Sequence, residues 1–266
     1  MHSEESRSVL QGRLSLRQFT VCYIKSLFLA RQAAEREPVS EECHKKNTLN
    51  ERSMSINTPA MLPRLCIVSS GTDPDGSGMQ IRRQLRLLRP SLPCLLQIRE
   101  KHLDAAALFR LSLAVKEEAA SRNALILLNE RADIAMAAAL DGVHLRESSC
   151  PAGKVRSFIG RMLTGKSVHS LESAVKAAES GVDYLIFGPV FDTPSKRQYG
   201  APQGSDALGA ICRTVSVPVF AIGGITPENA PLCLAEGAYG VAALSLFTDT
   251  VTLPELLETF EKLLAS

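Results

Sequence analysis

The chain has no tryptophan, and aromatic residues make up only 5% of its 266 residues. Such a composition offers no aromatic platform on which nucleic-acid bases could stack. No apolar run approaches the roughly 18 residues that a membrane-spanning helix needs. The stretch from Phe19 to Ala30 is too short, is interrupted by Lys25, and lacks the cleavage-site context of a secretory signal. The seven cysteines are odd in number and scattered, with no CxxC pair among them, which argues against a zinc site or a disulfide framework. Most sit in apolar surroundings, as buried free thiols of a reducing compartment do, and a cytoplasmic location is expected. A GxSxG nucleophile turn is also missing, so acyl-transfer chemistry through a serine has no support.

Excess charge is lacking too. Of the 30 Lys/Arg and 28 Asp/Glu, residues 1–60 hold 9 and 7, which leaves 21 of each sign for the rest. A neutral body carries no electrostatic footprint for nucleic acid or an anionic membrane. Any anion must therefore be held by local groups.

What is present is ordinary globular composition, 45% hydrophobic and 22% charged, in a chain long enough to bury a large core. Residues 1–60 differ from the remainder. They mix Ser, Glu, Arg and Lys with one modest apolar segment and close on the polar run Lys45–Asn57. A poorly ordered extension with one helix around 14–36 is expected, and Met54 and Met61 are alternative starts.

From Arg64 onward, short β-rich runs alternate with helix-period segments. The pattern predicts strands at Leu65–Ser69, Cys94–Ile98, Leu125–Leu128, Gly142–Leu145, Leu163–Val168, Tyr184–Phe187, Val219–Ile222 and Gly240–Leu244. Between them, Leu108, Leu111 and Val115 share one helix face, as do Leu171, Ala174, Val175 and Ala178. Ser170 is placed to cap one helix that Gly181 ends, and Thr226-Pro227 reads as a cap followed by proline at the first helical position. Eight strand–helix repeats in about 200 residues predict an α/β fold, a (β/α)8 TIM barrel over 63–266 with a non-barrel N-terminal extension. An open doubly wound sheet is the other arrangement this pattern allows.

In a parallel barrel the chemistry sits where strands end, and the polar residues gather there. Alternation puts Gln97, Arg99 and Lys101 on one side after strand 2. Asn129-Glu130 ends strand 3, and Lys166-Ser167-Val168-His169 closes strand 5. Thr193, Ser195 and Lys196 follow strand 6 within a loop bounded by Gly188 and Pro189, a suitable cradle for a diphosphate. Gly223-Gly224 after strand 7 and Leu244-Ser245 after strand 8 occupy the usual phosphate pocket of such barrels. His144 and His169 are expected to satisfy backbone partners rather than to do chemistry.

The segments QIREK (97–101), LLNERADIA (127–135), DGVHL (141–145), GKSVHS (165–170), FGPVFDTPSK (187–196), AIGGI (221–225) and GVAALS (240–245) resemble, in order and spacing, the thiamine phosphate synthase/TenI family. Coverage runs from about residue 63 to 262. The resemblance implies a synthase that joins a hydroxymethylpyrimidine diphosphate to a thiazole phosphate and releases diphosphate with Mg2+. It implies that Gln97 and Ser167 contact the pyrimidine, and that Arg99, Lys101, Asn129 and Lys196 hold the diphosphate. Thr193 and Ser195 would line the thiazole side, and Gly224, Leu244 and Ser245 would grip the thiazole phosphate. Partners are then two small molecules, with no nucleic acid and no membrane, and homo-oligomerisation is left open.

Two departures stand out. The synthase pattern has Asn-Asp where this chain has Asn129-Glu130. It has a second metal-binding aspartate where this chain has Ser149, in the run Arg146-Glu147-Ser148-Ser149. Glu130 is left as the metal ligand, with Glu147 or the charge of Arg146 as substitutes, and weaker metal binding is expected. The TenI-type branch also lacks the metal aspartates. Its thiazole phosphate isomerase uses a histidine directly after the strand-6 glycine, where this chain has Pro189. That isomerase, and a barrel that binds thiamine precursors without catalysis, are the alternatives.

Overall fold

The computed structural model describes residues 62–71, 77–194, 197 and 200–265. The expectations for residues 1–60, including the helix at 14–36 and the separate extension, lie outside the described residues. So do Ser195 and Lys196.

Eight strands run in parallel and close on themselves in sequence order. They are β1 (Leu65–Val68), β2 (Cys94–Ile98), β3 (Ala124–Asn129), β4 (Gly142–Leu145), β5 (Leu163–Val168), β6 (Tyr184–Phe187), β7 (Val219–Ile222) and β8 (Gly240–Ala243). The closing pair is β1 with β8, with Cys66 opposite Ala242. Helices α1 (Met79–Leu87), α2 (Ala105–Ala119), α3 (Ala132–Ala137), α4 (Ala152–Ile159), α5 (Leu171–Glu179), α6 (Gly204–Thr214), α7 (Ala230–Ala235) and α8 (Leu253–Leu264) follow the strands in turn, and a 3-10 turn (Ser245–Phe247) precedes α8. This is the expected (β/α)8 barrel. β1 ends at Val68 and β8 at Ala243, one residue short of the sequence reading in each case. Leu244 has already left the extended conformation, at φ -109° and ψ -68°.

Strand alternation sorts the core into two shells. Leu65, Ile67, Leu96 and Ile98 face outward and pack with helix residues such as Leu108, Leu111 and Val115. Cys66, Leu95, Leu127, Tyr184, Ile186 and Phe220 face inward and fill the barrel. Each large apolar side chain buried this way contributes roughly 1.5–3 kcal/mol. Tyr184 fits because its neighbour on β5 is Gly165: a Cβ there would lie 2.0 Å from the Tyr184 ring.

The lower rim is tied by a repeated device. Asp141 accepts from Ile126 N (2.7 Å) and Asp183 accepts from Thr164 N (2.6 Å). Each aspartate precedes a strand and ties down the backbone of the neighbouring one. Arg156 Nη2 also donates to Asp183, at 2.6 Å.

Helix punctuation follows the sequence with two corrections. Ser170 caps α5 through a capping box with Ser173, and Gly181 follows its end at φ +81°. The buried face of α5, however, is Ala174 and Ala177, and Leu171 is exposed. Thr226 does not start a helix at Pro227. Its hydroxyl accepts from Asn229 N (3.4 Å) while Asn229 Oδ1 accepts from Thr226 N (2.8 Å). This reciprocal turn delays α7 to Ala230.

Of the described cysteines, Cys66, Cys94 and Cys233 are buried and Cys150 is exposed. Burial pushes the Cys94 thiol up to about 12, so it behaves as a small hydrophobe. Among the described residues no helix is long and apolar enough to cross a membrane.

Candidate active site

A cavity of about 630 Å³ opens at the rim where the strands end. Gln97, Arg99, Lys101, Asn129, Ser167, Thr193, Gly224, Leu244 and Ser245 all line it. Nine residues chosen from six separate loops thus share one space. Lys166, which alternation turns away from the interior, does not line it, and neither does Glu130.

Two arcs of the rim differ in chemistry. Along β2–β4 the wall is amide and cationic. Gln97 Nε2 donates to Asn129 Oδ1 at 3.0 Å, which leaves the Gln97 carbonyl and the Asn129 amino group for ligands. Ser69 and Glu100 brace the segment that presents Arg99. Ser69 Oγ donates to Glu100 Oε1 (2.6 Å) and accepts from Arg99 N (2.8 Å). Burial draws the Arg99 guanidinium below its ordinary value, Glu100 opposes this, and nearby Arg146 adds to it.

Along β6–β8 the wall is backbone. The peptide joining Gly188 to Pro189 is cis. Val190 N donates to Ile222 O (2.8 Å) and Phe191 N to Gly223 O (3.0 Å), which zips the β6 loop onto the β7 loop. Gly223 and Gly224 both take positive φ, +98° and +64°. A Cβ on Gly224 would lie 2.5 Å from Asp192 O, so glycine is demanded twice over.

At the floor lies a polar trio. His144 Nδ1 bonds the Tyr184 hydroxyl (3.1 Å) and Nε2 bonds Ser167 Oγ (2.9 Å). Burial pushes the imidazole down to about 3, so it is neutral and holds one N–H to give and one lone pair to receive. The expectation of a backbone partner is wrong for His144 and right for His169, whose Nδ1 meets Gly188 O at 2.5 Å. The sequence singles out Ser167 but not its link through His144 to Tyr184. Its signal was alternation, which turns His144 and Tyr184 inward.

The metal ligand set does not form as the resemblance implied. Glu130 sits in a left-handed backbone conformation, φ +63°, which is costly for a non-glycine residue and often marks a functional position. Its Oε2 pairs with Arg146 Nε at 2.5 Å, and its Oε1 accepts from Ser149 Oγ at 2.5 Å. Both carboxylate oxygens are therefore engaged by protein donors, and these with the charge of Lys101 hold the group below the usual carboxylate range against the effect of burial. Glu147 Oε1 instead accepts from His169 N (3.2 Å). Among the described residues no cluster of three His, Cys, Asp or Glu is placed to hold a metal. Magnesium is usually held by one or two carboxylates together with waters and substrate phosphates. Glu130, with both oxygens committed to Arg146 and Ser149, does not fit that role as it stands.

Fold and rim together define an eight-stranded α/β barrel with a cavity at the strand ends, walled by amide and cationic side chains on one arc and by glycine backbone on the other. Comparison with known proteins narrows the class. A family model described as thiamine monophosphate synthase matches residues 65–247. The thiamine-phosphate synthase of Chloroflexus aurantiacus is 38% identical over 158 residues, covering 59% of this chain and 73% of that protein. The thiamine-phosphate synthase of Chlorobium luteolum is 36% identical over 194 residues, covering 73% and 88%. Among solved structures, a thiamine phosphate pyrophosphorylase from Pyrococcus furiosus superposes with a TM-score of 0.65 at 26% identity, over 77% of this chain and 96% of that one. The chain belongs to the thiamine monophosphate synthase family.

Proposed function

We propose that this chain is a thiamine phosphate synthase, coupling hydroxymethylpyrimidine diphosphate to thiazole phosphate. One observation carries the reading: Arg99 and Lys101 share a cavity with the Gly223-Gly224 turn on the far arc of the rim. Two phosphorylated substrates need two anion-holding walls facing one space, and a single-substrate isomerase needs only one.

The reaction asks little of side-chain nucleophiles. The methylene C–O bond breaks and its electron pair leaves with the diphosphate. The thiazole nitrogen lone pair then forms the new C–N bond, and no proton is transferred. Arg99 and Lys101 neutralise the departing oxygens, assisted by Lys196 as the resemblance implies. The Gln97 carbonyl and Ser167 Oγ, the latter fixed by neutral His144, orient the pyrimidine ring. Gly224 and Ser245 seat the thiazole phosphate, so that the two rings are held in line. The isomerase alternative loses the base its branch uses, because Pro189 follows Gly188. His169, which lines the cavity, donates Nδ1–H to the Gly188 carbonyl and keeps only its Nε2 lone pair.

The test is direct. Purified protein given both substrates should form thiamine phosphate and diphosphate in equal amounts. Arg99→Gln should lower kcat/KM by about 10²-fold, the usual effect of removing one donor from a developing anion. Failure to form product at any Mg2+ concentration, or in its absence, refutes the reading.

A further inference from the structure

We propose that the Arg146–Glu130 pair takes the place of a divalent cation in this site, so that the chain captures diphosphate without metal. The inference rests on the synthase reading only for the identity of the anion.

The geometry is specific. Arg146 lines the cavity whereas its partner Glu130 does not, so the positive end of the pair faces the ligand and the negative end lies behind it. The guanidinium spends Nε on Glu130 Oε2, and its two terminal amino groups are a planar fork suited to phosphate oxygens. Ser149 Oγ donates to the other carboxylate oxygen and fixes the carboxylate from behind. A magnesium ion approaching Glu130 would have to displace an ion pair and a hydrogen bond, and the other carboxylate of the cavity, Glu147, is turned to His169 N.

The charges close as well. A divalent cation on two carboxylates sums to zero with its positive pole toward the substrate. An arginine on one carboxylate sums to zero with the same polarity. Replacing an aspartate by Ser149 therefore removes the one negative charge that the lower charge of arginine no longer needs. Beyond that neutral unit, Arg99 and Lys101 add two positive charges to the same cavity and Glu147 one negative charge, a net of +1. Arg146 already depresses the Arg99 guanidinium, a repulsion that a bound polyanion relieves.

Calorimetric titration with inorganic pyrophosphate in excess EDTA tests this apart from turnover. The wild-type chain should bind in EDTA. Arg146→Gln, a half-exposed position whose loss leaves the core intact, should weaken that binding at least about 10-fold, the equivalent of one charge-assisted contact. The double variant Arg146→Gln/Ser149→Asp should bind only when Mg2+ is added. Pyrophosphate binding by the wild type that requires Mg2+, binding under neither condition, or indifference to Arg146→Gln overturns the inference. Product formation that depends on Mg2+ sinks it while sparing the synthase reading. Metal-free pyrophosphate binding without any coupling of the two substrates does the reverse.

Discussion

Replacing Gly224 with alanine separates two costs that the β7 loop combines. The first is conformational: φ of +64° is unfavourable for an L-residue by about 1–2 kcal/mol. The second is steric. The new methyl group would sit 2.5 Å from Asp192 O and 2.8 Å from Phe191 Cβ, and overlap of this kind costs about 1–3 kcal/mol when neighbours must move. Gly181 supplies the control. It has φ of +81°, and a Cβ added there would meet nothing within 4 Å, so Gly181→Ala carries the conformational cost alone. Urea denaturation should then show Gly181→Ala losing about 1–2 kcal/mol and Gly224→Ala about 2–5 kcal/mol. The two variants should also part in kinetics. Relief of the clash pushes the β6 loop away from the β7 loop and takes Thr193 with it, so Gly224→Ala should raise KM for thiazole phosphate by on the order of 10-fold. Gly181→Ala, at the end of α5, should leave KM unchanged. Equal stability losses, within the ~0.5 kcal/mol by which independent sites vary, would refute the claim that the glycine pair exists to let the two loops meet.

Two further outcomes follow from groups away from the anion walls. His144 is held neutral to about 3, against an ordinary value of 6.5, chiefly by burial. Between those values the unfolded chain binds the extra proton, so stability falls as pH falls through that window, by ~1.4 kcal/mol per pH unit for this site. His144→Gln should flatten the slope of urea stability by one proton between 6.5 and about pH 5, and an unchanged slope would count against a neutral buried imidazole. Asp183→Ala strips the acceptor from Thr164 N and Arg156 at the end of the barrel opposite the cavity. It should cost about 1–3 kcal/mol with kcat and KM unmoved, and altered kinetics would show that the lower rim feeds into the site.

The barrel was legible because its signals are local and repeated. Five of the eight strands, β2 and β4 to β7, keep the predicted bounds, since a buried parallel strand is a short apolar run whose ends are marked by polar residues. β3 runs longer than its apolar run, to Asn129, because the polar amide side chain is accommodated by Gln97 while the backbone continues its ladder opposite His144. The α7 start was missed for the opposite reason: Thr226 and Asn229 satisfy each other's backbone before any helix forms, and a Thr-Pro pair looks the same in either case. At the site, one rule, that residues at the ends of parallel strands converge, gathers nine residues around one cavity, seven of them with polar side chains. What that rule cannot supply is the partner of a charge. Glu130 looks like a metal ligand as long as its surroundings are judged along the chain. It becomes the anchor of a guanidinium only when β3 and β4 lie side by side, which brings Arg146 and Ser149 from the next loop onto its two oxygens. A carboxylate at a strand end states that positive charge is wanted there, and its neighbours across the ladder decide whether an ion or an arginine provides it.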